Sequence, residues 1–593
     1  MNFWLSSDSN INSVFIFFLL LAIFIGIVLI IRFFFKRKRE QREKDLISSF
    51  EMFSEETALK EVKQIKSGRI KFFSLSGFKW FSSIFFSLLL LLIFFFNSFF
   101  TYYPPPEKGK VYPISLRAAY TFKNKGITYK KGEIFIKKGW IINERRLHLI
   151  EAYKNSKKFP TVFELMGGFI FFFILSLIFL MWLGEIFKSY ERDENRNLFL
   201  IYTLIIIIVA FLRFTYITEI TSPFYTPIAF LGMVLFLLLG KKSIVPVLFL
   251  SSLLCGIFSG LNFLLFFILL SSSLPISFWP HRIKKRSQLL IMGGTVGIIG
   301  TFLLFSIYLL FQKYINLTFL QKEFLPTLLN GIFSSFLTLL LIQFIEKIFG
   351  YVSPFSLMEL SDLNSDLLRQ LYLKAPGTYH HSLEVANLAE IAASGLDVDT
   401  LLLRVGAYYH DIGKMAGPHF FVENQKDNEN PHDMISAYAS AKIVKSHVSA
   451  GLNIGEKVGL PRKILDMIAQ HHGTSLLTYF YEKAKKESPN IKKTYFQYPG
   501  PKPQSKEAAI LMIVDAVEAA SRVIEDKSEK NVREMVEKII EGKMKEKQFD
   551  ECDLTLSELS KIVDSLTKAL SASNHKRIPY PGDSGIKNKN DEE

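Results

Sequence analysis

Cysteine is nearly absent: the 593 residues contain two, Cys255 in an apolar stretch and Cys552 in a polar C-terminal region. No disulfide framework can be built from them, and no C-x-x-C pair exists to form a zinc finger. An H-E-x-x-H string is also missing, which excludes the helix-borne zinc site it would signal. Charge is the next scarcity. Asp, Glu, Lys and Arg make up 21% of the chain, against about a quarter in soluble domains, and they are absent from several long runs. What fills those runs is hydrophobic: 49% of the residues are apolar, 58 of them Phe. A disordered chain, a disulfide scaffold and a uniformly soluble protein are excluded together. The remaining class is a polytopic membrane protein with a sizeable soluble part.

Lys and Arg number 71 against 55 Asp and Glu, a net charge of +16. The basic residues are spread over several loops rather than gathered in one patch. They therefore read as topology-setting loop charge, with the lipid bilayer as partner and no nucleic-acid polymer. Apolar runs long enough to span a bilayer occur at 13–31, 80–100, 165–184, 197–212, 220–240, 288–312 and 324–345. The uncharged stretch 243–279 is too long for one pass and is split at GIFSG, Gly256 to Gly260. No Lys or Arg precedes the first run, so it reads as a retained helix rather than a cleaved signal. Two N-terminal spans are thus followed by a block of seven. The basic loops FFFKRKREQREK, GKKS and HRIKKRS fall on one side if the chain starts outside, which puts everything after Gly350 in the cytoplasm. No span carries a run of ionisable residues of the kind transporters use.

The organisation expected is a two-span membrane region with a basic loop at 1–100, then a small α+β extracytoplasmic segment at 101–160. A seven-helix domain follows at 161–350, a cytoplasmic all-α domain at 351–580 and a polar tail at 581–593. The segment 101–160 is rich in lysine despite its outside placement, and its order predicts short strands around Gly132 and Gly139 followed by a helix. From Tyr351 onward apolar residues recur at helical spacing, as in Leu383, Val385, Ala386, Leu388 and Ala389.

Eight of the 11 histidines lie between 380 and 472: His380, His381, His410, His419, His432, His447, His471 and His472. With Asp411 beside His410, and Asp515 following an apolar run, they point to metal binding. Neutral imidazoles suit Mn, Fe, Co or Zn, and a carboxylate can bridge two ions. Ligands drawn from separate helices suit a site inside a bundle. Two ions about 3.5–4 Å apart can activate a water and clamp a phosphodiester in line.

These residues form a recognisable series: APGTYHHSLEVANLAE (375–390), YHDIGKM (409–415), HFFVENQ (419–425), NPHD (430–433), SHVSAGL (446–452), IAQHHGT (468–474), YPGPKPQSKEAAI (498–510) and DAVEAASR (515–522). In this order they resemble the HD phosphohydrolase superfamily, and more narrowly the seven-transmembrane HD proteins of the PgpH type, which are bacterial cyclic-di-AMP phosphodiesterases. The resemblance implies two divalent ions, Mn or Fe, held by His381, His410, Asp411, His447, His471, His472 and Asp515, with Asp411 as the bridge and His381 preferred over His380. It gives His410, Asp411 and Lys414 catalytic roles and makes Asn387, Asn424, Gln425 and His432 candidates for substrate contact. The segment Tyr498 to Pro503 reads as a rigid loop near the site. The implied activity is hydrolysis of cyclic-di-AMP to pApA at a bacterial cytoplasmic membrane, with regulation by an unidentified extracytoplasmic ligand left open. Alternatives are an HD hydrolase of (p)ppGpp or cyclic-di-GMP and a non-catalytic nucleotide receptor. HHGTSLL stands where cyclic-di-GMP enzymes carry GYP, and the ligand set is intact, so both rank lower. The sequence does not specify the number of subunits.

Overall fold

A computed structural model describes residues 75–572 apart from 97–105, 114, 119–120, 131–132, 156–159, 188–193, 219–220, 280–282, 284 and 426–429. The expected span at 13–31, its basic loop and the tail at 581–593 lie outside the described residues. The chain divides into two compact units, Met1–Phe349 and Gly350–Glu593.

In the first unit, apolar helix α1 (Leu75–Phe94) precedes a small module. Strand β1 (Leu116–Arg117) pairs antiparallel with β4 (Ile134–Ile136), and β2 (Phe122–Asn124) pairs antiparallel with β3 (Ile127–Tyr129). The β2–β3 turn is Lys125-Gly126, both with positive φ, 47° and 81°, the backbone that matches strand twist in a two-residue hairpin. Phe122, Phe135 and Ile136 pack with Ile150 and Tyr153 of helix α2 (Glu144–Asn155) to form the module's own core. The segment is α+β.

The apolar helices that follow are α3 (Val162–Phe187), α4 (Glu194–Thr218), α5 (Ile228–Leu238), α6 (Ile244–Phe258), α7 (Phe263–Ser273), α8 (Arg286–Leu310) and α9 (Leu325–Phe349). Five helices among the described residues are long and apolar enough to cross a membrane: Val162–Ile186, Asn195–Ile217, Lys241–Phe258, Arg286–Leu310 and Leu317–Phe349. Three more, Lys79–Phe94, Pro223–Leu238 and Phe263–Phe278, are apolar but shorter. The split within 243–279 falls at residues 259–262, where Gly260 takes φ +81° and the Asn262 side chain accepts from Leu265 N to start α7. The expected span 220–240 is reduced to a 3₁₀ turn at Pro223–Tyr225 and the eleven residues of α5, because Pro223 and Pro227 cannot sit inside a helix. Helices α8 and α9 touch through backbone: a Cβ on Gly293 would lie 2.4 Å from the Gly331 carbonyl oxygen, so only glycine permits the crossing.

Helix α4 runs past the expected end at 212 and carries Arg213 within it. Its guanidinium donates to Phe258 O (2.8 Å) and Phe94 O (3.2 Å), the last residues of α6 and α1. Both carbonyls lie at helix ends, where the backbone leaves acceptors for other donors, and the charge that would have ended a span is satisfied by them.

The second unit is helical in its regular structure: α10 (Pro354–Leu360), α11 (Asp366–Lys374), α12 (Pro376–Ala392), α13 (Thr400–Tyr409), α14 (Ala437–Val458), α15 (Arg462–Gln470), α16 (Thr478–Glu487), α17 (Lys506–Ser521), α18 (Glu529–Lys545) and α19 (Leu556–Ala572). Side chains that begin helices are visible in sequence: Asp399 accepts from Leu402 N, Ser436 from Ala439 N and Ser505 from Ala508 N. Val385, Leu403, Ile468 and Val514 bury completely in a shared core, which fixes α12, α13, α15 and α17 around one interior point.

Candidate metal centre

Five elements deliver polar side chains to that point. His381 comes from α12, His410 and Asp411 from the end of α13, His447 from α14, His471 and His472 from the residues after α15, and Asp515 from α17. The ligand atoms of Asp411, His447, His471 and His472 lie within 4.8 Å of one another, and so do those of His381, His410 and Asp515. Asp411 faces both groups. Its Oδ1 is 3.3 Å from His447 Nε2 and 3.6 Å from His471 Nε2, while Oδ2 is 3.2 Å from His410 Nε2 and 3.6 Å from His381 Nε2. Asp515 Oδ1 is 3.0 Å from His381 Nε2, and its Oδ2 is 3.7 Å from His472 Nδ1.

The backbone sets this spacing. A Cβ on Gly413 would lie 1.8 Å from His447 O, so the turn that carries His410-Asp411 rests directly on α14. The rings are aimed by their second nitrogens. Nδ1 donates to a backbone carbonyl in His410 (Ala407 O, 2.8 Å), His447 (Val444 O, 2.6 Å) and His471 (Ile468 O, 2.8 Å). In each case Nε2 is left pointing inward. His447 Nε2 and His471 Nε2 face each other at 3.3 Å. His410 Nε2 and Asp411 Oδ1 are buried without a hydrogen-bond partner. Such unpartnered polar atoms are costly in an interior and are the fit expected of a divalent-cation site.

Electrostatics follow from burial and crowding. Burial resists charge on Asp411, yet His410 and Lys414 hold its carboxyl well below the ordinary range. Burial lowers His410, but Asp411 and Asp515 overcome it and carry the ring up to about 10. His447, with burial dominant, is pushed down to about 4. His472 is also pushed down, by burial first and then by His471. A proton therefore sits on the His410 side of Asp411, where the negative charge is densest.

Lys414 lies 2.7 Å from both Asp411 Oδ2 and Glu423 Oε1; its ammonium is held between two carboxylates rather than presented free. His380 is exposed beside Tyr372 and Tyr379, while His381 is buried. Tyr498 covers the centre, with its ring 4.3 Å from that of His472.

None of the four expected contact residues belongs to either cluster of ligand atoms. Asn387 is exposed on α12, six residues beyond His381 and so about 120° around the helix. Asn424 is used structurally, accepting from Thr378 N and donating to Thr378 Oγ1. Gln425 donates to His419 O within its own loop. His432 is buried and bonded to Phe420 O, with Phe480 against its ring.

Two carboxylates were missed. Glu518 Oε2 takes the Nδ1 proton of His381 at 2.7 Å and is itself held by Arg522; Glu423 pairs with Lys414. The spacing Asp515-x-x-Glu518, which puts both on one face of α17, was the available signal.

The chain matches the family model described as a 7TM receptor with intracellular HD hydrolase over residues 162–353, and the HD domain model over 378–520. It is 35% identical over 476 residues to the cyclic-di-AMP phosphodiesterase PgpH of Listeria monocytogenes, covering 76% of this chain and 64% of that protein. With the cyclic-di-AMP phosphodiesterase PgpH of Bacillus subtilis it shares 34% over 469 residues, covering 77% and 65%. The chain therefore spans just under two-thirds of the length of these relatives. A crystal structure of the L. monocytogenes PgpH HD domain in complex with cyclic-di-AMP is 45% identical, covers 36% of this chain and 100% of that one, and superposes with a TM-score of 0.35.

Proposed function

The chain belongs to the family of seven-transmembrane receptors with an intracellular HD hydrolase domain, and from that premise we propose that it hydrolyses cyclic-di-AMP to pApA. The hydrolase unit faces the cytoplasm of a bacterial cell, and the chain is a multi-pass protein of the cytoplasmic membrane. The observation that carries the reading is Asp411, one carboxylate oxygen toward His447 and His471 and the other toward His381 and His410.

Two divalent ions, Mn or Fe, supply Lewis acidity and charge neutralisation at phosphorus when bound. The chain's own groups prepare the place. Asp411 keeps the two histidine sets in register, and the backbone carbonyls of Ala407, Val444 and Ile468 fix each ring with its Nε2 inward. Lys414 holds Asp411 Oδ2 and balances its charge. Glu518 orients His381 and raises the basicity of its inner nitrogen. Tyr498 excludes water from the His472 side. Such preorganised charge is the main source of catalysis in phosphoryl chemistry.

The test uses the full chain reconstituted in lipid nanodiscs and supplied with Mn, offered cyclic-di-AMP, cyclic-di-GMP and ppGpp separately, with products read by chromatography. Conversion of cyclic-di-AMP to pApA, lost in Asp411→Asn, is expected. Consumption of another nucleotide with cyclic-di-AMP untouched would overturn the substrate assignment, and full activity in Asp411→Asn would overturn the site.

A further inference from the structure

The module between α1 and α3 holds a large excess of charge that no part of the proposed catalysis uses. Residues 101–160 contain fourteen Lys and Arg against four Glu and no Asp, a net +10 of the chain's +16. Lys108 pairs with Glu144 and Lys110 with Glu107. Lys123, Lys125, Lys137 and Lys138 meet no carboxylate among the described residues, so their charge is not neutralised within the fold.

Part of this charge surrounds an apolar tip. Lys137-Lys138-Gly139-Trp140 is a turn closed by Trp140 N to Lys137 O, with Gly139 at φ +88°. Val111 and Ile141 pair across an isolated bridge beside it and are 59% and 56% exposed; Trp140 is 36% exposed. Arg146 stands 4.3 Å over the Trp140 ring and Lys137 5.9 Å from its centre. A tryptophan and two aliphatic side chains projecting among cations form the pattern that partitions into a bilayer interface.

The chain itself supplies the partner. Helix α2 ends at Asn155 and the membrane helix α3 begins at Val162. The six intervening residues, seven Cα–Cα steps, reach at most about 25 Å even when fully extended. The end of α2 is therefore held within that distance of the start of the membrane helix α3. We propose that the Val111–Trp140–Ile141 tip, with Lys110, Lys137, Lys138 and Arg146, docks on anionic phospholipid headgroups of the leaflet next to which it is tethered. Opposite charge attracts each Lys or Arg near such a surface, and the tether gives a high effective concentration. Docking would also account for the tolerance of a strongly basic segment at this position in the chain. The inference does not depend on the substrate assigned above.

The test labels the full chain at Ile141→Cys with an environment-sensitive fluorophore in a Cys552→Ser background, Cys255 being buried in α6. The protein is reconstituted in nanodiscs of phosphatidylcholine alone or mixed with phosphatidylglycerol, some containing a lipid-borne quencher at the acyl–headgroup boundary. A blue shift and quenching confined to phosphatidylglycerol discs, and weakened by salt, are expected. In Lys137→Glu/Lys138→Glu, an exposed pair outside the module's core, the docked-to-undocked ratio falls by about tenfold or more. Lys137→Gln/Lys138→Gln falls less and keeps the module's fold intact. A probe that remains in water in both discs overturns the proposal. So does quenching independent of phosphatidylglycerol and of the two lysines, or a shift produced by soluble polyphosphate in phosphatidylcholine discs and not by phosphatidylglycerol.

Discussion

Glu518 is where the ligand arrangement can be challenged without touching a ligand. Its Oε2 lies 2.7 Å from His381 Nδ1, and Arg522 fixes its other oxygen at 2.6 Å. The carboxylate does two things: it accepts the Nδ1 proton and, by its charge, makes the opposite nitrogen a stronger donor of electrons. Glu518→Gln keeps an acceptor of the same shape and removes only the charge. Glu518→Ala removes both. Second-sphere partners of histidine ligands contribute about 10- to 100-fold in metal affinity. The Gln variant is therefore expected near tenfold weaker for Mn and the Ala variant near 100-fold, or about 1.4 and 2.8 kcal/mol. Arg522 is 43% exposed at its side chain, so water can receive the freed guanidinium and stability changes little. Calorimetric Mn titration of the full chain measures the affinities, and the turnover number at saturating Mn separates binding from chemistry. Turnover near wild type at saturation is expected. Unchanged affinity in both variants would refute the assigned role, as would a loss of turnover that no Mn concentration restores.

Other expectations follow from the same geometry. Mn affinity rises with pH from 7 toward 10, about tenfold per unit for one proton released, because His410 is raised to about 10 and must deprotonate, while His447, at about 4, is already neutral; calorimetry across pH checks it. Ion-free protein responds oppositely. A raised histidine contributes stability in full below its ordinary pKa of about 6.5, and His410 loses that contribution as pH climbs through about 10. The melting temperature after chelation should therefore fall over that window. Lys414→Met leaves Asp411 and Glu423 without their shared cation; a loss of about 3–5 kcal/mol is expected in ion-free protein, with Mn restoring more stability to the variant than to wild type in thermal melts. In Gly413→Ala the new methyl meets His447 O at 1.8 Å; overpacking of about 3 kcal/mol lowers the melting temperature by about 6–12 °C.

The series that converges on the proposed metal centre was readable because its members are chemically unusual in a helical background: histidine pairs and an aspartate at helix ends have few other reasons to recur in one segment. Helices of the second unit were equally visible through apolar spacing and caps such as Asp399 and Ser436. What stayed hidden was everything decided by distant packing. Glu423 becomes a partner of Lys414 only when a loop nine residues away folds back, and Glu518 is an ordinary helix glutamate until α12 lies against α17. Conversely, Asn387 shares a string with His381 yet turns about 120° away around the helix to an exposed face, because neighbours in sequence need not share a face. The apolar run at 220–240 overstated its helix because hydropathy does not register what Pro223 and Pro227 do to the backbone.

Arg213 ties the last carbonyls of α1 and α6 through one side chain. In a membrane-spanning segment there is no water to take over a broken bond. A shift of α1 along the bilayer normal therefore either carries α6 with it or strands a guanidinium and a helix end. The two helix ends are thus coupled through one side chain, and the turn at 259–262 begins at the residue after the α6 carbonyl that Arg213 holds.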